Sequence, residues 1–118
     1  MTLTITPAKL KGPVTPPPSK SQAHRLLIAA ALAGGESVIH NVAYSADIEA
    51  TISCLEELGA AFHREGEALY VTGLGAGPMS PMGRMALPRL DCGESGSTLR
   101  FLIPVALAVR GGGVFTGH

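Results

Sequence analysis

Lys20, Ser21 and Arg25 fall within six residues, directly behind Pro16-Pro17-Pro18 and directly ahead of the apolar run 26–33. Lysine offers a compact point charge. Arginine offers a planar fork of donors suited to phosphate or carboxylate. Ser21 and Arg25 are four apart and share one helix face. Ser19 and Ser21 are both good N-caps. The first N–H groups of the helix they open point outward, unpaired, at the positive end of the macrodipole. Such an end attracts an anion before any side chain is counted. The prolines fix φ on the approach, so ordering this turn loses little entropy. The chemistry indicated is the gripping of a phosphate or carboxylate. The alternative from local chemistry is a capped surface helix with a solvated Lys and Arg.

A second turn, "DCGESGSTLR" at 91–100, has related chemistry. Gly93 and Gly96 allow close approach of backbone N–H groups to a ligand, and Ser95, Ser97 and Thr98 supply caps and hydroxyls. Arg100 lies four beyond Gly96. No Lys-Ser/Thr follows the glycine, so this is not a Walker loop, and it is not GxGxxG either. The alternative is an ordinary capped turn. Other reactive residue types carry less. His24, His40 and His63 lack partners at metal spacing and read as solvent-facing or satisfied side chains. Cys54 reads as a small core residue; Cys92, beside the second turn, reads as packed or reactive. Met79, Met82 and Met85 read as loop packing rather than a ligand groove.

These turns need elements to hold them. Residues 1–6 alternate apolar and polar and predict a short strand; 7–18, with its prolines, predicts an extended connector. A helix is expected over 22–33, ended by Gly34-Gly35, then a strand over 36–42. Ser45 or Asp47 opens a second helix that runs to about Leu58 and stops at Gly59. Its buried stripe is Ile48, Ile52, Leu55 and Leu58, with Glu49, Glu56 and Glu57 toward water. Segments 60–65 and 67–73 flank Gly66 as a hairpin, and 73–88 reads as a loop. A third helix over 97–109 and a strand over 112–117 follow, with Pro104 expected to kink that helix or cost it a hydrogen bond. An internal repeat joins the two turns. At an offset of 75 residues, "RLLIAAALA" matches "RFLIPVALA" at six of nine positions, and each copy sits between a Ser-containing turn and a strand.

Bulk composition narrows the class. The 118 residues suit one domain with a real core. Nine basic residues balance nine acidic ones, so charge implies no nucleic-acid surface. A composition 46% hydrophobic and 15% charged argues against disorder, and no run approaches the roughly 20 apolar residues of a membrane span. No signal peptide is visible, and two distant cysteines fit no zinc site, so a reduced cytoplasmic setting is expected. The final "GGGVFTGH", a strand entering a loop, suggests the front part of something larger.

"PPPSKSQAHRLLIAAALAGG", "SADIEATISCLEELGA" and "DCGESGSTLRFLIPVALA", in that order, resemble the front of the 5-enolpyruvylshikimate-3-phosphate synthases. The Ser-Lys-Ser-x-x-x-Arg element is the most specific part. The UDP-N-acetylglucosamine enolpyruvyl transferases carry Lys-Asn at this turn. The resemblance implies an α+β fold of βαβαββ units, part of the inverse α/β barrel of enolpyruvyl transferases. Helices are expected on one side of mixed sheets. It implies that residues 1–14 associate with the other lobe and that 15–118 form part of the N-terminal lobe. It implies transfer of the enolpyruvyl group of phosphoenolpyruvate to the 5-hydroxyl of shikimate 3-phosphate, with release of phosphate, in aromatic amino-acid biosynthesis. Lys20 would be catalytic and touch both substrates, stabilising charge or sharing in proton transfer. Ser21 and Arg25 would hold shikimate 3-phosphate. Gly96 would line the phosphoenolpyruvate site, where glyphosate competes in the family, with Ser97 and Arg100 supporting that turn. Asp47 would orient or serve structure. Glu94 stands where the family often has Asn, and a carboxylate beside an anion is unfavourable, so Glu94 is expected to point away or meet a cation. No metal, cofactor, nucleic acid or membrane is implied. Later cationic segments of the family are absent from these residues, so the chain alone is expected to lack activity. It is also expected to self-associate through an exposed strand edge. The rival readings are a non-catalytic anion-binding fragment of the same fold and the UDP-sugar transferase, which Ser21 and Arg25 disfavour.

Overall fold

The computed structural model describes residues 1–75 and 86–118. Its elements run α1 (Lys20–Leu32), β1 (Gly34–His40), α2 (Ala46–Leu58), β2 (Ala61–Glu65), β3 (Ala68–Leu74), β4 (Arg89–Asp91), α3 (Gly96–Arg110) and β5 (Val114–Thr116). The run α1-β1-α2-β2-β3 is a βαβαββ unit without its leading strand, and β4-α3-β5 repeats the opening of such a unit.

β1, β3 and β2 form an antiparallel sheet in that order, while β4 and β5 pair in parallel across the α3 crossover. The β1–β3 register sets Ile39 opposite Leu69, and the β2–β3 register sets Phe62 opposite Val71. Cross-strand partners share a face, so these four build one apolar side. Leu69 and Val71 are fully buried there, with Ile39 and Phe62 packed alongside. α1 and α2 cover this side, and α2 also packs on α3 and β4. The expected stripe of α2 is the centre of the core: Ile48, Ile52, Leu55 and Leu58 are all buried, joined by Leu27 of α1, Leu90 of β4 and Leu102 of α3. Full burial of each leucine is worth about 2 kcal/mol of transfer free energy.

Local signals set most boundaries. Ser19, Ser45 and Ser95 cap α1, α2 and α3, each accepting a backbone N–H from three residues on. α2 ends on Gly59 in the left-handed region, as its position after Leu58 predicts. The hairpin turns at Gly66 and Glu67.

Three expectations are corrected. Residues 1–6 form no strand, and Leu3 and Ile5 are 82% exposed. Alternation gives a segment two faces, but a strand exists only with a partner for its backbone groups, and none of the described residues supplies one. α1 begins two residues early, at Lys20, because Ser19 rather than Ser21 is the cap. Gly34-Gly35 do not terminate α1; they start β1, opposite Leu74 and Gly73. The end of α1 is closed from the sheet instead, by Gly75 N donating to Ala33 O at 2.9 Å. A Cβ at Gly73 would collide with the Ala30 and Ala33 carbonyls, so glycine is what lets β3 pass so near α1. At Pro104 the expected loss of a hydrogen bond is what occurs: α3 continues through it, and Pro104 lies exposed, where water can meet the carbonyl left without its donor. Of the anticipated loop 73–88, residues 73–74 belong to β3 and 86–88 are irregular; 76–85, including Met79, Met82 and Met85, lie outside the described residues. Among the described residues no helix is long and apolar enough to cross a membrane.

Candidate anion site at three helix ends

Lys20 is the first residue of α1, and Ser19 Oγ accepts from Gln22 N at 3.2 Å. Its Nζ reaches Asp47 Oδ2 in the first turn of α2 at 2.8 Å. Four residues further along each helix, His24 Nδ1 lies 2.8 Å from Thr51 Oγ1. Both pairs span 27 residues. An equal offset one helical turn apart means that α1 and α2 run parallel here with their N-termini level. α3 joins them: Thr98 Oγ1 lies 2.8 Å from Thr51 Oγ1 and donates to Asp47 O at 3.2 Å. Three helix N-termini therefore meet in one place, each carrying about +0.5 of an elementary charge.

The two arginines of the repeat take the same local geometry. Arg25 Nη1 donates to Ser21 O at 2.9 Å, and Arg100 Nε donates to Gly96 O at 3.2 Å, each to the residue four before it. Arg25 also lies over the Phe101 ring of α3, 5.2 Å from its centroid. Both side chains remain exposed. Lys20 is thus turned toward α2 and Arg25 toward α3, with Ser21 exposed between them.

At the second turn, Gly93 N donates to Asp91 Oδ1 at 2.9 Å and His118 N to Gly93 O at 3.1 Å, holding the turn against β5. Gly96 and Ser97 begin α3 and are exposed. A Cβ at Gly96 would meet only Arg100, at an ordinary 3.6 Å, so nothing in this chain requires a glycine there. Beside it is a concave space of about 390 Å³ lined by Gly93, Glu94, Gly96, Leu99 and Phe115 among others. Glu94 is exposed on this rim and meets no cation among the described residues. Cys92 and Cys54 are buried under the turn, and Cys54 Sγ donates to Asp91 O at 3.2 Å. Burial pushes the Cys54 thiol up to about 12 and raises Cys92 as well, so both stay protonated and serve as packing.

Sequence reasoning missed the polar line beneath the mouth. His24, Thr51, Thr98 and Ser95 are all buried, in a core otherwise apolar. Burial lowers the His24 pKa and keeps the ring neutral; Asp47 opposes this shift, while Lys20 and Arg25 reinforce it. The available signal was periodicity: His24 falls three before Leu27 and Thr51 three after Ile48, so both sit on stripes that should be apolar. His63 conforms to the solvent-facing expectation for such a residue. No group of three or more His, Cys, Asp or Glu among the described residues has the arrangement of a metal site.

A mixed α/β scaffold gathers three helix N-termini, with Lys20, Arg25 and Arg100 in their first turns, an arrangement whose positive ends suit an anion. Comparison makes the assignment specific. The family model for EPSP synthase (3-phosphoshikimate 1-carboxyvinyltransferase) matches residues 5–118. The chain is 48% identical over 118 residues to the 3-phosphoshikimate 1-carboxyvinyltransferase of Clostridium botulinum (strain Eklund 17B / Type B), covering 99% of this chain and 27% of that protein. To the protein of the same name from Clostridioides difficile (strain 630) it is 43% identical over 120 residues, covering 98% and 28%. A solved EPSP synthase from Acinetobacter baumannii superposes with a TM-score of 0.71 at 26% identity, over 91% of this chain and 23% of that one. The chain belongs to the EPSP synthase family and carries part of the enolpyruvyl transferase fold. It spans about a quarter of the length of these relatives.

Proposed function

We propose that these residues form one wall of the substrate site of a 3-phosphoshikimate 1-carboxyvinyltransferase. The observation that carries this reading is the level meeting of the α1, α2 and α3 N-termini around Lys20 and Asp47. Both substrates of the reaction are multiply anionic, and preorganised donors and cations are what their charge development needs. In the proposed chemistry the enolpyruvyl methylene gains a proton, and the 5-hydroxyl oxygen of shikimate 3-phosphate bonds to the adjacent carbon as its own proton passes to a base. The methyl group then returns a proton as the carbon–oxygen bond to phosphate breaks. Ser21 and Arg25 hold shikimate 3-phosphate, and Lys20 faces both substrates, leaving Asp47 for the incoming anion. Gly96 and Ser97 present the α3 N-terminus to phosphoenolpyruvate, with Arg100 steadying the turn.

The wall alone has too few cations for two such substrates, so the isolated chain is expected to bind shikimate 3-phosphate weakly and to turn nothing over. The edge of β1, unpaired among the described residues, and the exposed Leu99, Ile103 and Leu107 along one side of α3 favour contact with further protein, a second copy included. Residues 1–14 are assigned to contacts with another lobe, which suits their exposure and their lack of a strand partner among the described residues. Two buried thiols suit a reducing cytoplasm. A phosphate-release assay with both substrates, with binding followed by calorimetry, tests the reading. Turnover by the isolated chain near that of a complete enzyme overturns the inactivity; absence of any phosphorylated-ligand binding that depends on Lys20 overturns the site.

A further inference from the structure

We infer that His24 is a positioning residue: held in the Nδ1–H form, it fixes the three helix ends of the mouth relative to one another through Thr51 and Thr98. This inference rests on the site reading above for its functional meaning, and on hydrogen-bond geometry alone for its structure. Thr98 Oγ1 has three close partners: Asp47 O at 3.2 Å, Ser95 Oγ at 2.6 Å and Thr51 Oγ1 at 2.8 Å. A hydroxyl has one proton to give, and a carbonyl has none. Giving it to Asp47 O or to Ser95 Oγ leaves none for Thr51. Thr51 must then donate to Thr98, and its own oxygen must accept from His24 Nδ1. The opposite direction, Thr98 to Thr51 to His24, would set two oxygens, Thr98 Oγ1 and the part-buried Asp47 O, against each other at 3.2 Å with no proton between them, which is unfavourable even though Asp47 O also accepts Thr51 N within α2.

The line His24 to Thr51 to Thr98 to Asp47 therefore runs one way and touches α1, α2, α3 and α2 again. Each member lies within one or two turns of a helix start that carries a mouth residue: Lys20 and Ser21 on α1, Asp47 on α2, Gly96 and Ser97 on α3. His24 Nε2 finds no partner among the described residues, which suits a bare acceptor in a neutral ring. Apolar contacts can slide, whereas a directed hydrogen-bond chain has one register, and this one sets the axial position of three helices at their charged ends.

Histidine-labelled nitrogen NMR on the chain reads the tautomer directly. The expected spectrum shows a protonated Nδ1 and a bare Nε2 for His24; the reverse overturns the inference. Side-chain geometry supplies a second arm. Asparagine places an amide donor where histidine has Nδ1, glutamine places it near Nε2, and leucine has neither. H24N should leave the backbone amide signals of Ser21, Asp47, Gly96 and Ser97 close to wild type, while H24L and H24Q displace them. T51V, which cuts the line from α2, should displace the same signals and serves if H24L does not fold. Equal spectra for H24N and H24L, or undisturbed mouth signals in T51V, overturn the positioning role. Titration with shikimate 3-phosphate then separates the two readings. Loss of about tenfold in affinity in T51V, with H24N within about threefold, supports both. No binding by wild type, with the tautomer and the asparagine rescue intact, sinks the substrate assignment and leaves the positioning line standing.

Discussion

The turn that opens α1 and the turn that opens α3 are two versions of one local design, and they have been put to different chemical use. Both start from a serine cap, and both place an arginine that returns to the carbonyl four residues earlier. The first turn puts charge at its exposed tip: Lys20 forms an ion pair with Asp47, and Arg25 stacks on Phe101. The second presents Gly96 and Ser97, and its cap Ser95 is buried into a hydroxyl network with Thr98. One mouth thus combines side-chain cations with backbone donors. The far ends differ too. α1 is closed by the backbone of Gly75, just past β3, and α3 by Gly111 in the left-handed region. β5 has a parallel neighbour in β4, whereas β1 has none on its outer edge among the described residues. A repeat preserves what neighbouring residues decide and loses what distant ones decide.

Several substitutions would break or sharpen this comparison. The largest effect on folding should come from Leu55→Ala, in the helix that both units lean on. A buried leucine of this kind costs about 2–5 kcal/mol, read from denaturant unfolding. On binding, Lys20→Met should weaken shikimate 3-phosphate by about tenfold to a hundredfold by calorimetry, as for a hydrogen bond to a charged group. Its ion pair is exposed, so stability should move by at most about 1 kcal/mol. Equal losses in binding and stability would mean that the lysine is structural.

The two caps give a direct contrast. Ser95→Ala should cost about 2 kcal/mol, because a buried partner of Thr98 is lost along with the cap. Ser19→Ala, in the open turn, should cost about 1 kcal/mol or less. Equal costs would erase the distinction between an exposed and an embedded turn. Gly96→Ala should leave the melting temperature nearly unchanged, since the added methyl meets only Arg100 at 3.6 Å. Its effect should appear instead in phosphoenolpyruvate binding by a protein that completes the site.

The smallest effect concerns pH. His24 has a folded pKa below its ordinary 6.5, chiefly from burial, with Asp47, Lys20 and Arg25 as the charged neighbours. The unfolded chain then binds more protons than the folded one in the window below 6.5. Stability contributed by the neutral ring is full above that value and falls as pH drops toward the folded pKa. H24N should flatten this part of a stability-against-pH profile, and an unchanged slope would assign it to other groups.

How much could be read in advance follows the range of each interaction. The α2 stripe, its Gly59 end and the hairpin at Gly66 were legible because each depends on residues within a turn or two, and the start of α2 was narrowed to Ser45 or Asp47, of which Ser45 is the cap. So was the cluster of Lys20, Ser21 and Arg25 at one helix start. Residues 1–6 had strand patterning without a strand, because alternation cannot provide a neighbour to bond with. Gly34-Gly35 looked like a helix end because the backbone that closes α1 arrives from Gly75, far along the chain. The sequence by itself determined that three helices form, the apolar stripe of α2 and which residue types stand at each mouth, since these follow from local sterics and periodicity. Only the tertiary structure decided that Lys20 meets Asp47 and that His24, Thr51 and Thr98 align. Those partners lie 27 and 47 residues apart and are brought together by packing of whole helices, whose register no local pattern encodes.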